Sequence, residues 1–198
     1  MTTVVNLNEH ERTNWCTSIQ RLLFTHGFGE AWESQTVGDE KLFMNVFKQR
    51  LRDVNLQNWS DYISNSSKCS FYSKIKNDIF INDNIQKLSY NLRYEMLSIL
   101  CSTHKLAIEQ GRHLNEPREN RLCQICNYNE FEDEYHFVLV CPVLSDVRRF
   151  FFLPLWCNNN PSERKLINLF QTDNFNILKN FALYIKKAKY IKEEILSL

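Results

Sequence analysis

Cys123-Gln-Ile-Cys126, then His136, then Cys141 is the one run in this chain whose residue types and spacing imply chemistry. Two thiols in one tight turn, joined by an imidazole and a third thiol ten to fifteen positions on, supply the four donors of a tetrahedral zinc site. With all four positions filled by protein, no place remains for a reactive water. The expected cofactor is therefore a structural Zn²⁺. Three thiolates and a neutral imidazole around Zn²⁺ carry a formal charge of about minus one, and Glu130, Glu132, Asp133 and Glu134 add to it. This segment is thus a poor contact for phosphate. The competing reading is a chance match of Cys and His residues, with His136 simply packed beside Phe137. His104 and His113 are reserve ligands, but both lie far from the knuckle in sequence.

Cations cluster on either side of this acidic stretch. Lys105, Arg112, His113, Arg118 and Arg121 approach it from the N-terminal side, and Arg148 and Arg149 follow it. Lys179, Lys186, Lys187, Lys189 and Lys192 occur with no acid between Asn176 and Lys192. These twelve residues are the candidate nucleic-acid contacts, through charge-assisted bonds to phosphate. The bland alternative for the first group is a solvated helix end, because Glu109, Glu116 and Glu119 partly cancel its charge, and for the lysine run a polar helix face; Arg148 and Arg149 would extend either surface. Tyr184 and Tyr190 either stack on bases or pack beneath lysine stems.

The elements that must hold these residues read as helices. Trp15, Ile19, Leu22 and Leu23 form a stripe predicted to be buried, stopped at Gly27 and Gly29, with a short turn at Ala31 and Trp32. Leu42, Phe43, Val46, Phe47, Leu51 and Val54 recur at helical spacing behind an Asp39 cap. Trp59, Tyr62 and Ile63 suggest a separate helix before the SNSSKCS connector, and Phe71 to Phe80 is helical or partly extended. Leu88 through Ile108 fits a long helix bent near Ser102 and Thr103 and ended by Gly111, with irregular backbone at Pro117. Val143, Leu144, Val147 and Phe150 to Phe152 predict a helix anchoring the metal segment. Asn160, Pro161 and Ser162 form the entrance of another, followed by Leu166, Ile167, Leu169 and Phe170, and Asp173 caps a last one carrying Phe175 to Ile191. The expected fold is mostly α, an irregular helical bundle with an embedded Cys3His zinc knuckle. Its expected parts are a helical body (1–111), a zinc module (112–142) and C-terminal helices packing on the body (143–198).

Composition bounds the function. The chain is 43% hydrophobic with 14 Phe, 8 Tyr and 4 Trp, so it folds, and four Gly and four Pro argue against turn-rich sheets. A net charge of +1 gives no global attraction to a polyanion, so any nucleic-acid site must be local. Seven cysteines, with Cys16, Cys69, Cys101 and Cys157 outside the metal set, suggest free thiols in a reducing compartment. The opening MTTVVNLNEHER lacks the features of a signal peptide, and no apolar run reaches membrane-span length. A nuclear or cytoplasmic protein without membrane contact is expected. No polymerase, phosphate-loop or Ser/His/Asp motif is present, so no catalytic residue is assigned and the chain is not expected to be an enzyme.

At ENRLCQIC…EDEYHFVLVCP, followed by SDVRRFF, the chain resembles the cysteine/histidine zinc-binding region that follows the reverse transcriptase domain in many non-LTR retrotransposon proteins. The resemblance runs upstream through NWCTSIQRLLFTHGFGEAW and HKLAIEQGRH and downstream through LPLW to the terminal helices. It implies a helical module that accompanies copying of RNA at a nicked DNA target, with RNA or DNA, and a reverse transcriptase or other protein, as partners. The family's metal pattern falls on Cys123, Cys126, His136 and Cys141, and its basic stretch on Arg112, Arg118 and Arg121. The alternative is a structural or protein-interaction module, marked by an exposed patch at Phe150, Phe151 and Phe152. Oligomeric state is left open.

Overall fold

The computed structural model describes residues 14–76, 82–151 and 160–198. Among them the chain is mostly helical, with no strand and a single antiparallel bridge, Leu122 to Phe131. It divides into two compact units, Met1–Asp61 and Tyr62–Leu198. Residues on both sides of positions 111 and 142, the expected module boundaries, belong to the second unit. The described residues include no helix long and apolar enough to cross a membrane.

The first unit contains α1 (Trp15–Thr25), α2 (Gly29–Glu33) and most of α3 (Glu40–Asn65). Asn14 and Thr17 cap α1 reciprocally, each side chain bonded to the other's backbone N–H. Gly27, at φ +84°, turns the chain into α2, a conformation that costs glycine no Cβ clash. Phe28 holds the two segments together by meeting Phe43 and Phe47 of α3 edge-on, at 5.6 and 5.1 Å. The stripe expected to be buried on α1 is not: Trp15 is 67% exposed and Ile19 and Leu22 about 40%, while Cys16 is the buried residue. α3 starts as its Asp39 cap requires, the carboxylate accepting from Leu42 N. It then runs unbroken through Trp59 to Asn65, so the separate helix expected at Trp59–Ile63 does not exist. No Gly or Pro interrupts 40–65, and nothing else stops helix propagation.

In the second unit, α4 (Ser70–Ile75), α5 (Asp83–Lys87), α6 (Tyr90–Leu100), α7 (Ala107–His113), α8 (Ser145–Phe151), α9 (Glu163–Gln171) and α10 (Phe175–Leu196) enclose one core. α10 is its axis, packed on α6 and α8. Leu178, Phe181, Ala182, Tyr184, Ile185 and Ala188 are fully buried along it, meeting Met96, Ile99 and Leu169. Asn174 caps α10 through bonds from Asn176 N and Ile177 N, one residue after the expected Asp173. The long helix expected over 88–108 is two, because Ser102 adopts φ +50° and the chain straightens before α7. Gly111 lies inside α7 instead of ending it; Asn115, at φ +56°, follows the helix. Parts of the Phe71–Phe80 and Phe150–Phe152 segments, with LPLW and Cys157, lie outside the described residues.

Candidate metal centre

The knuckle is built by a minimal hairpin. Cys123 N donates to Glu130 O and Glu132 N donates to Arg121 O, at 2.9 and 3.0 Å, pairing the two arms on either side of the Cys123–Cys126 turn. A single π-helical turn, His136–Val140, follows. Its wider winding sets His136 and Cys141 on one side, Cys141 N bonding back to His136 O at 2.7 Å. Asp133 starts that turn by accepting from His136 N.

Cys123, Cys126, His136 and Cys141 converge, all four buried, with their ligand atoms within 4.8 Å of one another. A tetrahedral zinc with bonds of about 2.3 Å to sulfur and 2.0 Å to nitrogen would separate S from N by about 3.5 Å. Cys126 Sγ and His136 Nε2 lie 3.4 Å apart. The other ring nitrogen, Nδ1, is buried with no hydrogen-bond partner, so nothing competes with the sulfurs for this imidazole. The donor set and spacing fit a thiophilic divalent cation. A side-chain hydrogen bond with Cys141 is the main cause pushing the Cys123 thiol up to about 12, and the same interaction lowers Cys141. Binding of a metal as thiolate would displace the thiol protons.

The acidic stretch is not one negative face. Glu130 is exposed, but Glu132 is 1% exposed and accepts from Ala107 N and from Lys192 Nζ, both at 2.7 Å. Glu134 is buried against His104 Nε2 at 3.0 Å, and Leu106 N donates to Nδ1 of the same ring. His104 therefore braces the module through a carboxylate.

The twelve candidate contacts separate into three groups. Lys192 is 6% exposed and committed to Glu132 and to Lys105 O, and Lys189 is paired with Glu95 at 2.6 Å. Arg148 donates to Val138 O and Cys141 O, at 2.7 and 2.9 Å. These three cations hold the protein together: Lys192 and Arg148 face a carboxylate or carbonyls of buried residues, and Lys189 a half-buried carboxylate. A second group, Arg112, Arg118 and Arg121, lines one groove of about 410 Å³ with Lys74, Asp133, Tyr135 and Glu163. Arg121 is fixed there by bonds to Ile108 O and Glu116 O, and Arg112 by Glu109. Arg118 lies over the Phe131 ring. The third group is exposed: Lys105, His113, Arg149, Lys179, Lys186 and Lys187, with Arg149 3.7 Å from Asp146 and Lys187 over Tyr190.

Sequence reasoning missed Lys74, took Glu132 only as part of a negative field, and assigned Tyr184 to base stacking or to packing beneath lysine stems. Lys74 carried no pattern, and its place beside the arginines arises from packing of α4 on α9. Tyr184 donates from its hydroxyl to Phe137 O at 2.8 Å; its signal was a polar tip in an otherwise apolar run. Compared with known proteins, the chain matches no family model, no curated protein and no solved structure.

Proposed function

We propose that this chain is a zinc-stabilised, non-catalytic accessory module of retroelement origin that positions RNA or target DNA in the nucleus or cytoplasm, beside a reverse transcriptase or other protein. The observation that carries the reading is the groove in which Arg112, Arg118 and Arg121 meet Lys74 next to the metal module. Zinc would be held by Cys123, Cys126, His136 and Cys141 and would supply rigidity alone. Arg121 precedes the first cysteine by two residues, so a fixed knuckle fixes that wall of the groove. Arg118 is exposed, with an aromatic ring beneath it, and would offer its guanidinium to phosphate. Glu109, Asp133, Glu134 and Glu163 line the same groove. The acids balance its charge, which favours one strand read at close range over bulk attraction to duplex. Lys105, Lys179, Lys186 and Lys187 supply further exposed charge.

Salt-varied binding to single-stranded RNA, single-stranded DNA and nicked duplex tests the reading. Binding should weaken as salt rises, and Arg118→Glu with Lys74→Glu should remove most of it while the fold persists. Retained affinity in that double variant, or no binding of any of the three at low salt, would reject it. One observation favours the protein-interaction alternative: Phe150 is 82% exposed, edge-on to Phe151 at 4.9 Å. Under that reading Phe150→Ser would abolish partner capture, and the wild-type chain would bind none of the three nucleic acids.

A further inference from the structure

The four candidate ligands are not electrically alone. Three thiolates and an imidazole around a divalent cation leave about one negative charge in a buried pocket. Glu132 Oε1 lies 4.0 Å from Cys123 Sγ, and this side chain is almost wholly buried. A second negative charge this close to a thiolate repels it in a medium that screens poorly. The other oxygen of Glu132 is 2.7 Å from Lys192 Nζ, which also donates to Lys105 O at 2.9 Å. Lys192 comes from the last turns of α10, sixty positions away in sequence.

We propose that Lys192 is the counter-charge of the metal centre, acting through Glu132, and that metal occupancy and docking of the end of α10 are therefore coupled. This rests on the reading that the Cys3His group holds a metal, and it adds a role for a residue that touches no ligand atom. With Lys192 present, cluster, Glu132 and ammonium sum to about minus one; without it they sum to about minus two, buried. A fully desolvated cation is costly unless paired, so the ammonium in turn requires that negative charge. By reciprocity, the factor by which Lys192 raises metal affinity is the factor by which metal strengthens the docking of Lys192. Lys189, one turn earlier, is paired with Glu95 on α6 instead, so it is a natural control.

The test is competition of the full chain against a chromophoric zinc chelator, with amide exchange of residues 187–198 followed with and without zinc. Lys192→Met should weaken zinc retention on the order of ten- to a hundred-fold. Lys192→Arg should recover much of it, and Lys189→Met should leave it near wild type. Glu132→Gln combined with Lys192→Met returns the local charge to about minus one, so the double variant should hold zinc better than Lys192→Met alone. A residue that merely packs would give additive losses in that cycle. Stripping zinc from the wild-type chain should speed exchange in the last turns of α10. Zinc retention in Lys192→Met within twofold of wild type, or a double variant no better than Lys192→Met alone, overturns the proposal. If Lys192→Met does not fold, Glu132→Gln alone decides: its zinc retention should not fall below wild type, and a fall overturns the proposal. Wild-type protein that takes up no zinc overturns the metal reading itself, and this inference with it.

Discussion

Arg148 donates from its guanidinium to the carbonyl of Cys141 at 2.9 Å and to that of Val138 at 2.7 Å, tying the middle of the turn that presents the third cysteine to that cysteine itself. Bonds from a charged donor to a neutral acceptor are worth about 1.5–3 kcal/mol where water is excluded. Arg148→Ala should therefore lower stability by about 2 kcal/mol and release zinc faster to a chelator. Arg148→Lys, which cannot span two carbonyls from one fork, should recover under half of the loss. Thermal melts and chelator competition measure both.

Tyr184 is wholly buried, and burial is what pushes its phenol above the ordinary range. Tyr184→Phe removes the bond to Phe137 O and leaves that carbonyl dry and unpaired, one residue beyond His136. A loss of about 1–2 kcal/mol is expected, with little change in secondary structure. The sign with pH follows from the raised value. The unfolded phenol ionises near pH 10 while the folded one stays neutral, so Tyr184 contributes its full stability below that pH and loses it progressively above. Denaturant melts from pH 8 to 11 should show a steeper alkaline decline in wild type than in Tyr184→Phe.

The candidate metal ligands were legible because the spacing of Cys123, Cys126, His136 and Cys141 is one a tetrahedral ion would require, and the four do converge into a group that could hold one. Helix content was legible for the same kind of reason: Asp39, Ser162 and the apolar period of 175–191 act locally. What failed was whatever depends on distant partners. The lysines of α10 look alike in sequence, yet Lys186 points to solvent while Lys192 is buried, because one helix face meets the metal module and the other does not. Glu132 and Glu134 read as a shared negative field until Lys192 and His104 arrive from elsewhere. Ser102 gave no sign of its left-handed backbone, since nothing in its own chemistry requires φ +50°.

Gly111 sits in α7 directly beneath the Arg121 side chain; a Cβ there would lie 2.6 Å from Arg121 Cγ and 2.8 Å from its Cδ. Replacing glycine by alanine in a helix normally gains about 1 kcal/mol. Here the arginine must swing away and give up its bonds to Ile108 O and Glu116 O. Losing them costs about 1–3 kcal/mol, so Gly111→Ala should be net destabilising by about 1 kcal/mol. Because Arg121 also lines the groove, the same variant should bind single strands more weakly. An Arg121→Ala background should abolish the clash and make Gly111→Ala neutral or stabilising, which a pair of melts can decide.

Metal uptake should depend on pH through the sulfur pair. The side-chain hydrogen bond between Cys123 and Cys141 pushes the first thiol up to about 12 and lowers the second, so below that pH the metal-free site keeps the Cys123 proton. A thiolate is the ligand, and binding must expel this proton. For each proton displaced, apparent affinity rises about tenfold per pH unit; acid therefore favours release and mild alkali favours loading. Chelator competition at pH 6, 7 and 8 should give a rising line, and Cys123→Ser should flatten it as well as lower it. An affinity independent of pH in the wild-type chain would mean that these sulfurs do not hold the ion.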